Sequence, residues 1–103
     1  MRILMKINIP NAEGNATIKD GSLGPKIHAI LEDLKPEAAY FAEDNGQRTG
    51  FIVVNIDDSS QIPSIAEPWF LAFNARVEIH PCMSAEDLEK AGPSIEAAVK
   101  KYA

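Results

Sequence analysis

Residues 43–56, EDNGQRTGFIVVNI, decide how this chain folds. Asn45-Gly46 is a strong short-range hairpin signal, because both central positions of a type I′ turn need a positive φ. The run that follows, FIVVNI, is the most strongly β-forming segment of the sequence. Strands are therefore expected over Glu37 to Glu43 and Thr49 to Asp57, joined by DNGQ. With a two-residue turn, Asp44 faces Gln47 and Glu43 faces Arg48 across the strands. The last two would form an ion pair worth ~0.2–1 kcal/mol. A three-residue loop with a bulge at Gly46 is the competing register. It pairs Glu43 with Gln47 and turns Arg48 onto the other face.

Outward from the hairpin, both flanks read as strand and helix in alternation. From Arg2 to Ile9, Ile3, Met5, Ile7 and Ile9 share one face, and Arg2, Leu4, Lys6 and Asn8 share the other. Pro10 ends this strand. Residues 11–35 look helical, with Asn11 available as N-cap and a kink or break expected around Gly21, Gly24 and Pro25. Ile27, Ile30, Leu31 and Leu34 then form an apolar stripe, which Lys35-Pro36 terminates. Beyond the hairpin, a second helix is expected over about Gln61 to Phe73, with Ser59 or Ser60 as cap and Pro63 in its first turn. Ile62, Ile65, Ala66, Trp69, Phe70 and Phe73 would be its buried face, and Pro68 should loosen or kink one turn. Ala75 to Pro81 alternates again, with Val77 and Ile79 inward and Arg76, Glu78 and His80 outward. Ser84 and Asp87 resemble a capping box for a short helix. After Gly92-Pro93, a last amphipathic segment carries Ile95, Ala98, Val99 and Tyr102.

This order predicts an α+β, ferredoxin-like βαββαβ domain. Its sheet would be antiparallel with order 4-1-3-2, both crossover helices on one face and a C-terminal helical tail. One domain covers residues 1–103, with a core of 1–82 and a tail of 83–103. Parity then sorts the two faces. The helix-facing set is almost purely aliphatic. The opposite face mixes Leu4, Phe51 and Val53 with Lys6, Asn8, Asn55, Arg76, Glu78 and His80. Such an apolar patch usually marks an interaction surface, and homodimerisation is its economical explanation.

Composition removes several function classes. At 103 residues the chain suits one core, and its net charge of −5 is spread without a block of like charges, the basic clusters Lys100-Lys101 and Arg2 to Lys6 being short. That argues against nucleic acid, whose binding needs clustered Lys and Arg, and against anionic membrane surfaces. No window reaches the ~18 apolar residues of a membrane span. The single cysteine, Cys82, excludes an internal disulfide and suits a reducing compartment. The N-terminal run MRILMKINIP is interrupted by Lys6, Asn8 and Pro10 and lacks a cleavage site, so a cytoplasmic location is expected. DGSLGP has no lysine at the P-loop position, and neither a paired zinc motif nor a nucleophile elbow occurs. No cofactor or metal is expected.

The expected strand order, the size and the half-polar open sheet resemble the dimeric α/β-barrel superfamily. LKPEAAYFAEDNGQRTGF (34–51) and IPSIAEPWFLAFNARVEIHPCM (62–83) also resemble a group of small, functionally uncharacterised bacterial proteins. The superfamily resemblance implies two subunits packed sheet to sheet. Its members include cofactor-free monooxygenases, muconolactone-type isomerases and haem-degrading enzymes. None of their catalytic motifs is matched here residue by residue, so the resemblance carries a fold and not a chemistry.

Candidate site residues follow from these placements. Arg48 is either half of a hairpin ion pair or an anion-binding group, and Arg76 is a second possible anchor. His80 and Glu78 share a face near the end of the last strand, where a histidine suits proton transfer. Cys82 lies beside them but lacks an evident activating base. His28 and Glu32 suggest a solvated i,i+4 pair. Trp69 is most simply core; the alternative is that Pro68 opens a gap in which Trp69 or Tyr40 touches a small apolar ligand. Two functions are consistent with these residues. One is a homodimeric binding or structural module for a small, partly apolar molecule. The other is a cofactor-free enzyme with His80 as proton carrier, Glu78 as its orienting partner and Arg48 or Arg76 as anion anchor. An exposed His80 away from any cavity would remove the second.

Overall fold

A computed structural model describes the whole chain, Met1 to Ala103. Its elements are β1 (Arg2–Ile9), α1 (Asn11–Lys19), α2 (Leu23–Leu34), β2 (Ala38–Asp44), β3 (Gln47–Asn55), α3 (Ile62–Phe73), β4 (Arg76–Pro81), α4 (Ala85–Lys90) and α5 (Gly92–Tyr102). The architecture is α+β, with four antiparallel strands in one sheet, compatible with a ferredoxin-like fold. The strands lie in the order β2-β3-β1-β4.

The hairpin adopts the two-residue register. Asp44 pairs with Gln47 and Glu43 with Arg48. Asn45 and Gly46 both have positive φ, 54° and 75°, as a type I′ turn requires. Rows of side chains then run straight across the sheet. On the helix side, Glu43, Arg48 and Ile9 form one row, and Ala39, Ile52, Met5 and Ile79 form another. On the opposite side, Tyr40, Phe51, Lys6 and Glu78 are aligned, as are Ala38, Val53, Leu4 and His80.

One core sits between the sheet and its helices. Ile3, Met5, Ile7, Ile52 and Val54 meet Ile30 of α2 and Ile65, Trp69 and Phe73 of α3. Trp69 and Phe73 are fully buried and stack at 6.3 Å between ring centroids. Burying aliphatic and aromatic side chains contributes roughly 1.5–3 kcal/mol each, which makes this layer the main source of stability.

Some local details follow expectation, as the break near Gly21 does, and others depart from it. The first helical region is two helices, separated where Gly21 takes φ of 79°. Asn11 is not a side-chain cap; it lies inside α1, and its amide donates to the Gly46 carbonyl at 3.3 Å. The turn before α3 is capped by Asp58 with Gln61, a reciprocal capping box, and not by Ser59 or Ser60. The Asp58 carboxylate accepts from the Ser60 backbone N–H at 3.1 Å, while the Gln61 side-chain oxygen accepts from the Asp58 N–H at 2.9 Å. Pro68 lies within a continuous α3, and Phe70 and Ile62 point outward, 42% and 37% exposed. The Ser84–Asp87 capping box and the His28–Glu32 contact, at 3.0 Å, form as the spacing predicts.

The molecule is long, 58 × 28 × 20 Å, with a radius of gyration of 17.0 Å. A compact chain of this length has about 13 Å. The excess comes with α5, which has no buried residue and exposes Ile95, Val99 and Tyr102. The tail is fastened at its base, where Arg2 donates to Glu37 at 2.9 Å and lies 3.6 Å from Asp87. Arg2 alternates with Ile3 and so belongs to the open face, which places the tail's first turn on that side of the sheet. No helix is long and apolar enough to cross a membrane.

Candidate functional site

The helices leave the β2 edge of the sheet poorly covered, and Phe41 on their own side remains 50% exposed. An open cleft of about 700 Å³ results. Its floor is the hairpin row of Glu43 and Arg48 with Phe41 beside it. Its walls are Asn11 and Asn15 of α1 and Leu23 and Ile27 of α2. The break at Gly21 creates this geometry, because it lets α2 change direction and bring Leu23 and Ile27 beside α1. One wall is therefore apolar, while the end near the hairpin turn is polar and charged.

The charges at that end are arranged unexpectedly. The ion pair foreseen between Glu43 and Arg48 is absent, although the register places them opposite each other. Glu43 instead accepts from the Gly46 backbone N–H at 3.0 Å, closing the turn. Arg48 donates from Nη1 to the Asn15 side-chain oxygen at 3.1 Å. The local amide and the helix side chain each outcompete a cross-strand contact worth only ~0.2–1 kcal/mol. Arg48 reaches Asn15 by passing over Gly14, where an added Cβ would lie 2.7 Å from Nη1. A glycine inside a helix costs about 1 kcal/mol relative to alanine, and here it admits the guanidinium.

A second, much smaller depression of about 210 Å³ lies on the open face. It is entirely polar and brings together Arg76, Glu78, Lys6, Asn8 and Asp44. Lys6 bridges Asp44 at 2.6 Å and Glu78 at 3.7 Å, and its pKa is raised chiefly by the hydrogen bond to Asp44. Arg76 has no carboxylate within ion-pairing distance.

The other candidate residues are scattered. Trp69 is sealed in the core at 0% exposure, so no gap opens at Pro68. Tyr40 projects from the open face, 73% exposed, and lines no cavity. His80 is exposed in the row of Leu4 and Val53 and also lines no cavity. A proton carrier needs hydrogen-bonding reach to a bound substrate, and His80 has no enclosed place beside it for one. Cys82 is half-buried, and its backbone N–H donates to the Arg2 carbonyl. No three His, Cys, Asp or Glu side chains converge on a metal-sized site.

Arg48 is thus the one predicted site residue in the large cleft. Asn11, Asn15, Leu23, Ile27 and Phe41 were not anticipated there. Two signals for them exist in the sequence: Asn11 and Asn15 are four apart, hence on one helix face, and Gly14 is a helix-interior glycine that calls for a packing reason.

Residues 5–95 match the family described as Domain of unknown function (DUF3303). The chain belongs to this family. The match begins within β1 and ends early in α5, so every residue lining the cleft falls within the family's domain. No curated relative matches the chain.

Proposed function

We propose that this protein is a homodimeric binding module that holds a small, partly apolar molecule in the cleft between the hairpin and α1–α2. The cleft itself carries the reading. It combines an apolar wall, Leu23, Ile27 and Phe41, with a few convergent polar groups, the usual composition of a small-molecule site. Its volume of about 700 Å³ is in the range such sites occupy. Dimerisation through the open sheet face belongs to the same proposal. Leu4, Phe51 and Val53 stay partly exposed there, and the tail adds a second uncovered apolar surface, Ile95 and Val99. A sheet face and a helix face that both lack cover are each accommodated when a second copy stacks on the first. A reducing, cytoplasmic setting suits the lone Cys82 and completes the proposal.

The enzyme alternative relied on His80 at a cavity and has no such support. Titration with isohexyl alcohol, an uncharged and partly apolar probe, tests the binding reading. Its addition should shift the backbone amide signals of Ile27, Phe41 and Arg48 saturably, and Leu23→Asp should weaken the effect by about tenfold. Shifts spread evenly over the surface, or unaffected by Leu23→Asp, would count against the cleft as a site.

A further inference from the structure

Glu43 and Arg48 stand opposite each other in the β2–β3 ladder and on one face, the position of a cross-strand ion pair. They decline it. The carboxylate is held by the Gly46 amide at 3.0 Å and the guanidinium by the Asn15 amide oxygen at 3.1 Å. Both partners are neutral, so neither charge is held in an ion pair, and a carboxylate and a guanidinium stand side by side in the cleft. A simple anion seated at Arg48 would also meet the repulsion of Glu43. A simple cation at Glu43 would meet that of Arg48. A molecule that carries both charges on neighbouring atoms gains both attractions, and charge-assisted hydrogen bonds are the strong ones. The rest of such a molecule would lie along Leu23, Ile27 and Phe41, which offer only apolar contact.

We infer that the cleft takes a small apolar zwitterion, an α-amino acid with a branched or aromatic side chain. Its carboxylate lies at Arg48 and its ammonium at Glu43. Gly14 is a positioning residue in this arrangement, because any side chain there displaces the guanidinium. The inference rests on the cleft being a binding site and deepens that reading.

The experiment is a set of titrations of the full chain, followed by backbone amide shifts, with four probes of similar apolar bulk. L-leucine carries both charges, isocaproate only the carboxylate, isoamylamine only the ammonium, and isohexyl alcohol neither. Leucine should shift Asn15, Gly46 and Arg48 and bind at least about tenfold more tightly than either singly charged probe. Arg48→Gln and Glu43→Gln should each erase that preference while leaving the amide spectrum folded. Gly14→Ala, which keeps both charges, should weaken leucine while leaving the alcohol unaffected. A smaller preference for leucine, or one that survives both charge-removing variants, overturns the zwitterion assignment. If isohexyl alcohol still saturates the cleft in that case, the binding reading stands alone. If none of the four probes reaches the cleft, both fall.

Discussion

The two faces of the sheet are made from alternate residues of the same four strands, yet they end in opposite states. On one, Met5, Ile7 and Ile52 are completely buried beneath α2 and α3. On the other, their immediate neighbours Leu4, Lys6, Phe51 and Val53 remain partly exposed, with salt bridges threaded between the apolar groups. The difference teaches that strand membership alone says little about a residue's role. Parity assigns each side chain either to the core beneath the helices or to the open face.

The sharpest way to separate the faces is to damage each in turn. Trp69→Ala strikes the closed side, where the indole is wholly enclosed and stacked on Phe73. It should destabilise the chain by ~3–5 kcal/mol, read as a large fall in the denaturant midpoint. Val53→Asp strikes the open side. It should leave the unfolding of a single chain nearly unchanged and weaken self-association by about tenfold or more, measured by light scattering across a dilution series. A wild-type monomer throughout that series would break the comparison, because the open face would then be an ordinary surface.

The smallest expected effect concerns the base of the tail, on the open side. The Asp87 carboxyl is held below its ordinary range, first by the Ser84 backbone N–H and then by the Ser84 side chain and the nearby charge of Arg2. A carboxyl depressed by folding stabilises the fold fully above its unfolded pKa of about 3.9. That contribution disappears as pH falls through the lower folded value. Protection of the α4 amides, taken relative to their intrinsic exchange rates, should therefore fall on acidification below about pH 4, before protection in β1 or β3 changes. Asp87→Asn should remove most of the pH dependence, and an unaltered profile in that variant would contradict the assignment.

Much of the fold is legible in the sequence because it rests on short-range rules. Asn45-Gly46 dictates the turn, the period-two alternation of Arg2 to Ile9 dictates the faces, and Ser84 with Asp87 dictates a helix start. Each signal lies within a few residues of its effect. The site is legible only in part, since its geometry depends on contacts between segments far apart in the chain. Arg48 meets Asn15, thirty-three residues away, and Asn11 meets Gly46, thirty-five away. A hairpin read by itself suggests that Glu43 and Arg48 should pair. Only the arrival of α1 supplies a competing partner for the arginine, and only the turn's own geometry supplies one for the glutamate. Trp69 and Phe73 follow the ordinary rule that large apolar side chains at helical spacing are core, and the outward Phe70 shows how narrow a buried stripe can be.

The projecting tail alters how a single chain moves through solution. A body 58 Å long and 20 Å across experiences more drag than a sphere of equal mass. One chain of 11.2 kDa would therefore elute early from a sizing column calibrated with round proteins. Its rotational correlation time would be lengthened as well, and more so about the short axes than about the long one. Apparent size and true mass are separate quantities for this molecule, and a two-chain assembly with its tails folded in need not look twice as large as one chain with its tail extended.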